Sequence, residues 1–363
     1  MLDEIGSNFW LDPNIRFQEK SLGSPNQFSC YGSDFVWLST GRSAISLVIQ
    51  TIETYNPGLK KVAVLPSFTC DTVFEPFLNA GYEVCFYPIN NDLTTNSNEI
   101  LRIALERDAS IILFHRYFGF DSLDSQICRM CEVLRAEGKY SIEDCTQCLY
   151  SNIPRADADF SVGSIRKWTG TPDGGFAVCR GGEIRRKPSC RDEALEQAKI
   201  KAFYAKYRYL FEKDGNKDEI LIMFREAEDI LEHQNRLYAI SEMSAKVQSN
   251  LDRMHLVQNR QDNYRFLEET LAGIVEPVFS LESGLEVPLY FPILVKERAL
   301  LQKHLIDNNI YAPIVWPRSE RLPKQCDGAE NAYQHLLCIP IDQRYDKEDM
   351  KRVVNVIKEF FIK

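Results

Sequence analysis

Four short stretches hold the residues best suited to chemistry: Thr40-Gly41-Arg42-Ser43-Ala44, Glu143-Asp144-Cys145-Thr146-Gln147, Ser164-Ile165-Arg166-Lys167, and the turn Pro172-Asp173-Gly174-Gly175. Lys167 lies between a strand-like run and a glycine turn, which can hold a lysine rigidly while its amine stays approachable. Such an amine can bind an electrophilic aldehyde cofactor as a Schiff base, and pyridoxal phosphate is the obvious candidate. Asp144 follows an apolar strand and could pair with a pyridinium nitrogen, keeping the ring an electron sink. It could equally cap a helix or pair with an arginine. Gln147 could hold the ring's phenolic oxygen or be a polar loop residue. Backbone amides at a helix start around Gly41, with Arg42 and Ser43 beside them, suit a phosphate monoester. A hydroxyl residue before Gly at a helix start is also an ordinary cap. The spacing Ser164-x-x-Lys167 could bring a hydroxyl to a cofactor phosphate while the lysine reaches the aldehyde. It is also a serine acylase signature, but the companion motifs Ser-Asp-Asn and Lys-Thr-Gly are absent.

From about residue 36 to 180, short apolar strands alternate with amphipathic helices. Strands are expected at 36–40, 61–66, 83–87, 110–115, 139–143, 159–162 and 175–179. Such alternation predicts an α/β fold, a mostly parallel sheet with helices on both faces. Ligands bind beyond the carboxyl ends of such strands, where Asp144 and Lys167 fall. Residues 189–270 read as charged and helical, with helices at 192–208 and 217–231 and one long helix at 239–271. An α+β pattern then returns, with strands at 287–295 and 337–341 and helices at 298–308 and 347–362. The expected organisation is an N-terminal segment 1–35, a large cofactor-binding α/β domain 36–238 with a helical insertion near 189–238, and a long helix plus small C-terminal α+β domain at 239–363.

A chain of 363 residues exceeds the size at which one core suffices, so two domains are expected. The net charge of −9 disfavours nucleic acid and anionic membrane as partners, since both want a basic footprint. No apolar run reaches transmembrane length, and the start Met1-Leu2-Asp3-Glu4 lacks the features of a signal peptide, so a cytoplasmic protein is expected. The eleven cysteines are then reduced thiols, most of them small buried hydrophobes. Cys128, Cys131, Cys145 and Cys148 form C-x2-C-x13-C-x2-C, close to zinc-ribbon spacing. The first pair sits in a helical pattern and the second straddles a strand end, neither of them in a metal knuckle. Buried thiols are the reading, and no metal is expected.

The order of these motifs resembles the DegT/StrS sugar aminotransferases, a family within the fold type I pyridoxal-phosphate enzymes. Glu4-Ile5-Gly6-Ser7-Asn8-Phe9-Trp10 looks like the family's opening, and Thr40 to Ile45 like its Ser-Gly-Thr-Ala-Ala-Leu turn. Pro66-Ser67-Phe68-Thr69, Glu143 to Gln147 and Leu337-Cys338-Ile339-Pro340 match three further motifs. The resemblance implies that Lys167 carries the cofactor, Asp144 faces its pyridine nitrogen, Gln147 lies near the ring oxygen, and Gly41, Arg42 and Ser164 line the phosphate. It implies a homodimer with a shared active site, taking an amino group from a donor such as glutamate to a keto acceptor. That acceptor would be a keto-sugar, with or without a linked nucleotide, used in polysaccharide or cell-surface sugar biosynthesis. Four departures mark a divergent branch. Cys70 stands where the family places a ring-stacking aromatic, leaving Phe68 as candidate. Arg42 replaces the turn's Thr, and Arg116 stands where His is frequent. The run before Lys167 leaves Ser161 and Ser164 competing for the phosphate. Two alternatives stay open: another reaction of the same cofactor, such as dehydration or elimination, and a non-catalytic cofactor-binding regulator. Family members that dehydrate tend to replace the lysine with histidine, so Lys167 favours transamination.

Overall fold

The computed structural model describes residues 3–20, 22, 32–322 and 327–362; Cys30, Cys326 and part of the expected segment 1–35 lie outside them. In chain order the elements are β1 (Asp34–Leu38), α1 (Gly41–Tyr55), β2 (Val62–Pro66), α2 (Asp71–Asn79), β3 (Glu83–Tyr87), α3 (Ser97–Glu106), β4 (Ile111–His115), α4 (Ile127–Ala136), β5 (Tyr140–Asp144), β6 (Phe160–Ser164) and β7 (Gly175–Cys179). They continue with α5 (Glu193–Tyr207), α6 (Lys217–Glu232), α7 (Glu242–Ser249), α8 (Arg253–Leu271), β8 (Phe291–Leu294), α9 (Arg298–Asp307), α10 (Asp327–His335), β9 (Leu336–Ile339) and α11 (Lys347–Phe361). The chain divides into two compact units, the first comprising Met1–Ser7, Leu59–Asp159 and Asp252–Lys363, the second Asn8–Gly58 and Phe160–Leu251.

The first unit holds the parallel strands. β2 pairs with β3 and β4, and β4 pairs with β5, all parallel. Every residue of β2 and β4 is buried, as continuous apolar runs in a sheet covered on both faces should be. Asn96 starts α3 by accepting the Glu99 N–H, a side-chain cap for an otherwise orphaned donor. The same unit contains the smaller α+β part, in which β8 and β9 pair antiparallel. There α11 begins with a capping box, Asp346 and Asp349 each bonding to the other's backbone N–H.

In the second unit β7 lies between β1 and β6 and runs antiparallel to both. α1 packs on β6 and β7, and α5 and α6 pack on each other as a helical hairpin. The hairpin has a core of its own, built from Leu11, Ala202, Phe203, Ala205, Ile220 and Phe224.

The fold type I α/β class with a smaller α+β part holds. The expected helix 239–271 does not continue unbroken: α7 ends at Ser249, and α8 restarts after Asp252, whose carboxylate accepts the His255 N–H. Asn250 in the gap exchanges hydrogen bonds with the backbone of Gln18, a use that a continuous helix would not allow. The strand expected at 287–295 narrows to Phe291–Leu294 because Val287 and Leu289 leave the sheet to bond Ser151 and Phe118. α3 and α10 went unforeseen. Among the described residues no helix is long and apolar enough to cross a membrane.

Candidate functional site

The candidate residues fall into two sets, one in each unit. In the first unit Asp144 is the last residue of β5, in register with His115 at the end of β4. Its Oδ1 accepts the Thr146 N–H at 2.9 Å, which orients the carboxylate and leaves Oδ2 for another donor. Gln147 is buried, and its Oε1 accepts the Phe118 N–H at 2.8 Å. Phe118 has a left-handed φ of 55°, unusual for a bulky residue, so this bond helps hold a strained turn. The amide NH2 of Gln147 remains to donate.

Phe68 is enclosed. Its ring packs against Tyr117, Trp316 and Tyr333, with centroids 4.9–5.6 Å apart, and only 1% of the residue is exposed. Cys70 begins α2 and its Sγ lies 2.9 Å from the Thr72 hydroxyl. The stacked ring beside Asp144's partner in the register is Trp316, a residue that sequence reasoning missed. Its indole lies nearly parallel to the His115 imidazole, at 24° and 5.3 Å, and is half-buried. His115 bonds the Phe68 carbonyl, and burial pulls its pKa down although the Asp144 charge pulls the other way. Only the end-of-strand position of His115 hinted at this cluster; nothing local marked Trp316.

Arg116 has a different task from the residues around it. Its Nε donates to Glu143 at 3.0 Å, its NH2 to the Pro154 carbonyl, and its NH1 to Asp121. The side chains of Arg116 and Glu143 are each 1% exposed, so the pair staples β4 to β5 just below Asp144. The four spaced cysteines are likewise occupied with their surroundings. Cys128 donates to the Arg155 carbonyl, Arg155 donates to Cys148 Sγ, and Cys131 and Cys145 are buried. Among the described residues no group of three or more His, Cys, Asp or Glu is arranged to hold a metal ion.

In the second unit Thr40 caps α1. Its hydroxyl oxygen accepts the Ser43 N–H and its proton goes to the Ser43 Oγ, both at 2.9 Å. The first amides of α1, at Gly41 and Arg42, lie outside the helical ladder, and the first turn carries no acidic residue, as an anion site requires. A Cβ built on Gly41 would lie 3.5 Å from the Ser164 Cβ, so Ser164 sits against this helix start. Ser161 lies three residues away on β6, so the two-residue period of a strand turns it to the opposite face. That face carries Phe176, whose ring a side chain at Gly163 would strike. Ser164 donates to the Gly174 carbonyl at 3.0 Å. Arg42 reaches Glu232 at 2.9 Å.

Lys167 ends a short 3-10 turn, Ile165–Lys167, and is exposed. The following turn is pinned by Asp173, whose carboxylate accepts the N–H and hydroxyl of Ser241. Burial pushes the Asp173 pKa up to about 6 despite those bonds. Gly175 is needed for the approach of β7 to the helix start, since a Cβ there would meet the Thr40 carbonyl oxygen at 2.1 Å.

Each set, taken by itself, carries groups whose chemistry suits pyridoxal phosphate. In the first unit Asp144 Oδ2 could accept from a pyridine N–H, and the Gln147 amide could donate to a phenolic oxygen. In the second, the α1 amides with Ser43 and Ser164 could hold a phosphate, and the Lys167 amine could hold an aldehyde carbon.

No protein-family profile matches the sequence, and no curated protein does. Solved structures do. The chain is similar to PseC of Helicobacter pylori, an aminotransferase involved in the biosynthesis of pseudoaminic acid, with a TM-score of 0.70 and 14% identity over 99% of both chains. It is similar to a DegT DnrJ EryC1 StrS aminotransferase from Brucella abortus, with a TM-score of 0.64 and 15% identity over 96% of this chain and 92% of that one. It is also similar to the putative sugar aminotransferase Spr1654 of Streptococcus pneumoniae in its PLP-form, with a TM-score of 0.64 and 14% identity over 96% and 92%. Over nearly its whole length the chain thus has the fold of the DegT/StrS-type sugar aminotransferases.

Proposed function

We propose that the chain is a pyridoxal-phosphate-dependent transaminase that moves an amino group from glutamate to a keto-sugar, as a cytoplasmic homodimer with a shared active site. The observation that carries this reading is the exposed amine of Lys167, on a turn flanked by buried structure on both sides. It gains support from Asp144 with one free carboxylate oxygen and from a helix start without acidic residues. The similarity in fold to sugar aminotransferases, one of them solved in a PLP-form, points the same way.

The cofactor supplies an electron sink and an aldehyde carbon able to carry an amino group. The rest falls to the chain. Asp144 Oδ2 keeps the proton on the ring nitrogen, and Thr146 N–H holds that carboxylate in place. Gln147 donates from its amide NH2, fixed because its oxygen is held by Phe118. The α1 start and Ser164 anchor the phosphate. Lys167 Nζ would hold the cofactor's aldehyde carbon and, when not bound to it, could move a proton between the substrate carbon and that aldehyde carbon. Positioned acid–base work of this kind is worth about 10²–10⁴ in rate.

Incubation with pyridoxal phosphate, borohydride reduction and peptide mass mapping test the reading. The adduct is expected on Lys167, and an adduct elsewhere or none would overturn it. Amino donors and keto-sugar acceptors are then screened by loss and recovery of the cofactor's absorbance. Retained cofactor with no response to any amino donor would favour the regulatory alternative.

A further inference from the structure

The residue beside Lys167 is tied to an element that sequence reading treats as an insertion. Arg166 NH2 donates to Glu228 Oε1 of α6 at 2.7 Å. The same oxygen accepts from Lys199 of α5, whose side chain is only 4% exposed and whose ammonium lies 5.9 Å from the Phe224 ring centre. One carboxylate thus joins three elements of the second unit: the Lys167 turn and both helices of the hairpin. A lysine is almost never fully buried unless paired, and an apolar residue would fill that space without needing a partner. The ionic cluster therefore fixes geometry at a point where packing alone would not select one.

We propose that the α5–α6 hairpin positions Lys167 through Glu228, which grips Arg166 and so fixes the turn carrying the amine. Burial raises the Glu228 pKa, but Arg166 and Lys199 outweigh it, leaving the carboxylate below its ordinary value and ionised near neutrality. Lys199 is shifted down, by burial first and then by the Arg166 charge, with Lys167 adding to the same effect. Lys167 therefore sits within the electrostatic reach of the cluster. The hairpin's own core, which includes Leu11, makes it a firm base for that grip.

This inference rests on the reading of Lys167 as the cofactor-binding amine, and the test separates the two. Arg166→Met cuts the link from the turn side and leaves the Lys199–Glu228 pair whole. The Arg166 side chain is 21% exposed and that of Glu228 46%, so thermal stability should stay close to wild type. The rate of borohydride-fixed capture of pyridoxal phosphate at Lys167 should fall about ten- to hundredfold, as expected when a reacting group loses its alignment. Arg166→Lys, which keeps the charge, should restore most of that rate. Capture by Arg166→Met at the wild-type rate would overturn the proposal. If wild type itself captures nothing at Lys167, the cofactor reading fails instead. Hydrogen exchange over residues 165–169 of the cofactor-free chain then decides the positioning role: faster exchange in Arg166→Met supports it, and unchanged exchange overturns it.

Discussion

The two sets of candidate residues are built on opposite principles. In the first unit the groups around Asp144 are buried and already bonded: Gln147 to Phe118, His115 to Phe68, Arg116 to Glu143. Each has at most one atom left to offer a ligand, so this region can act as a fixed template. In the second unit the candidate group is an exposed amine on a three-residue turn, next to an arginine held by a helical hairpin. A template gains from rigidity, whereas an amine that must bind, leave and return gains from being reachable. The contrast gives distinct expectations for mutations in each region.

The largest effect belongs to the exposed amine. Lys167→Ala should abolish borohydride-fixed cofactor altogether while leaving the fold intact by circular dichroism. Asp144→Asn should still bind cofactor but lose about 10²–10³ in turnover, the scale of one lost electrostatic contact to a charged reaction centre. Near-normal turnover in that variant would erase the distinction between template and reactant.

Next comes the staple beneath the template. Glu143→Ala removes one of the two carboxylates paired with the Arg116 guanidinium, whose side chain is 1% exposed, and should cost about 1.5–3 kcal/mol in denaturant unfolding. A cost under 1 kcal/mol would show that the first unit is not rigid in the sense argued.

Asp173 offers a pH-resolved test in the second unit. Its folded pKa is raised from 3.8 to about 6, so the folded state favours the protonated acid. The stabilisation is complete below about pH 3.8 and is lost as pH rises through about 6. A shift of about two units corresponds to about 3 kcal/mol. The stability of wild type relative to Asp173→Asn should therefore decline by up to that amount between pH 4 and 7. A flat difference would contradict the assignment.

The smallest effects separate two glycines, Gly41 at the start of α1 and Gly175 of β7 packed against it. Gly175→Ala must push against the Thr40 carbonyl and should cost about 1–3 kcal/mol. Gly41→Ala meets only ordinary contact at 3.5 Å and should cost less than about 1 kcal/mol. If Gly41→Ala nonetheless weakens cofactor binding, the helix start is a binding surface rather than a cap alone.

Local chemistry was legible in the sequence; long-range pairing was not. The strand ending at Asp144, the helix start at Gly41 and the turn at Lys167 are each written within a few residues. The placing of Ser161 and Ser164 was half-written, because strand alternation already puts residues three apart on opposite faces, and only the neighbours of β6 say what each face meets. The stack of Trp316 on His115 and the grip of Glu228 on Arg166 join segments far apart in sequence, and no periodicity signals them. The helix read as continuous from 239 to 271 failed because Asp252 is a strong cap as well as a tolerable interior residue, and Asn250 finds better partners at Gln18.

The threading of the two units has a consequence for how the chain comes to be folded. β1 must pair with β7, yet residues 59–159 of the first unit lie between them in sequence. Ile5 likewise bridges to Ile310, from opposite ends of the chain. Neither unit is a continuous stretch that could finish folding as it leaves the ribosome. Early strands must wait for late partners, which makes for high contact order and slow folding. The apolar β2 and β4 are then the segments most in need of protection from aggregation during synthesis.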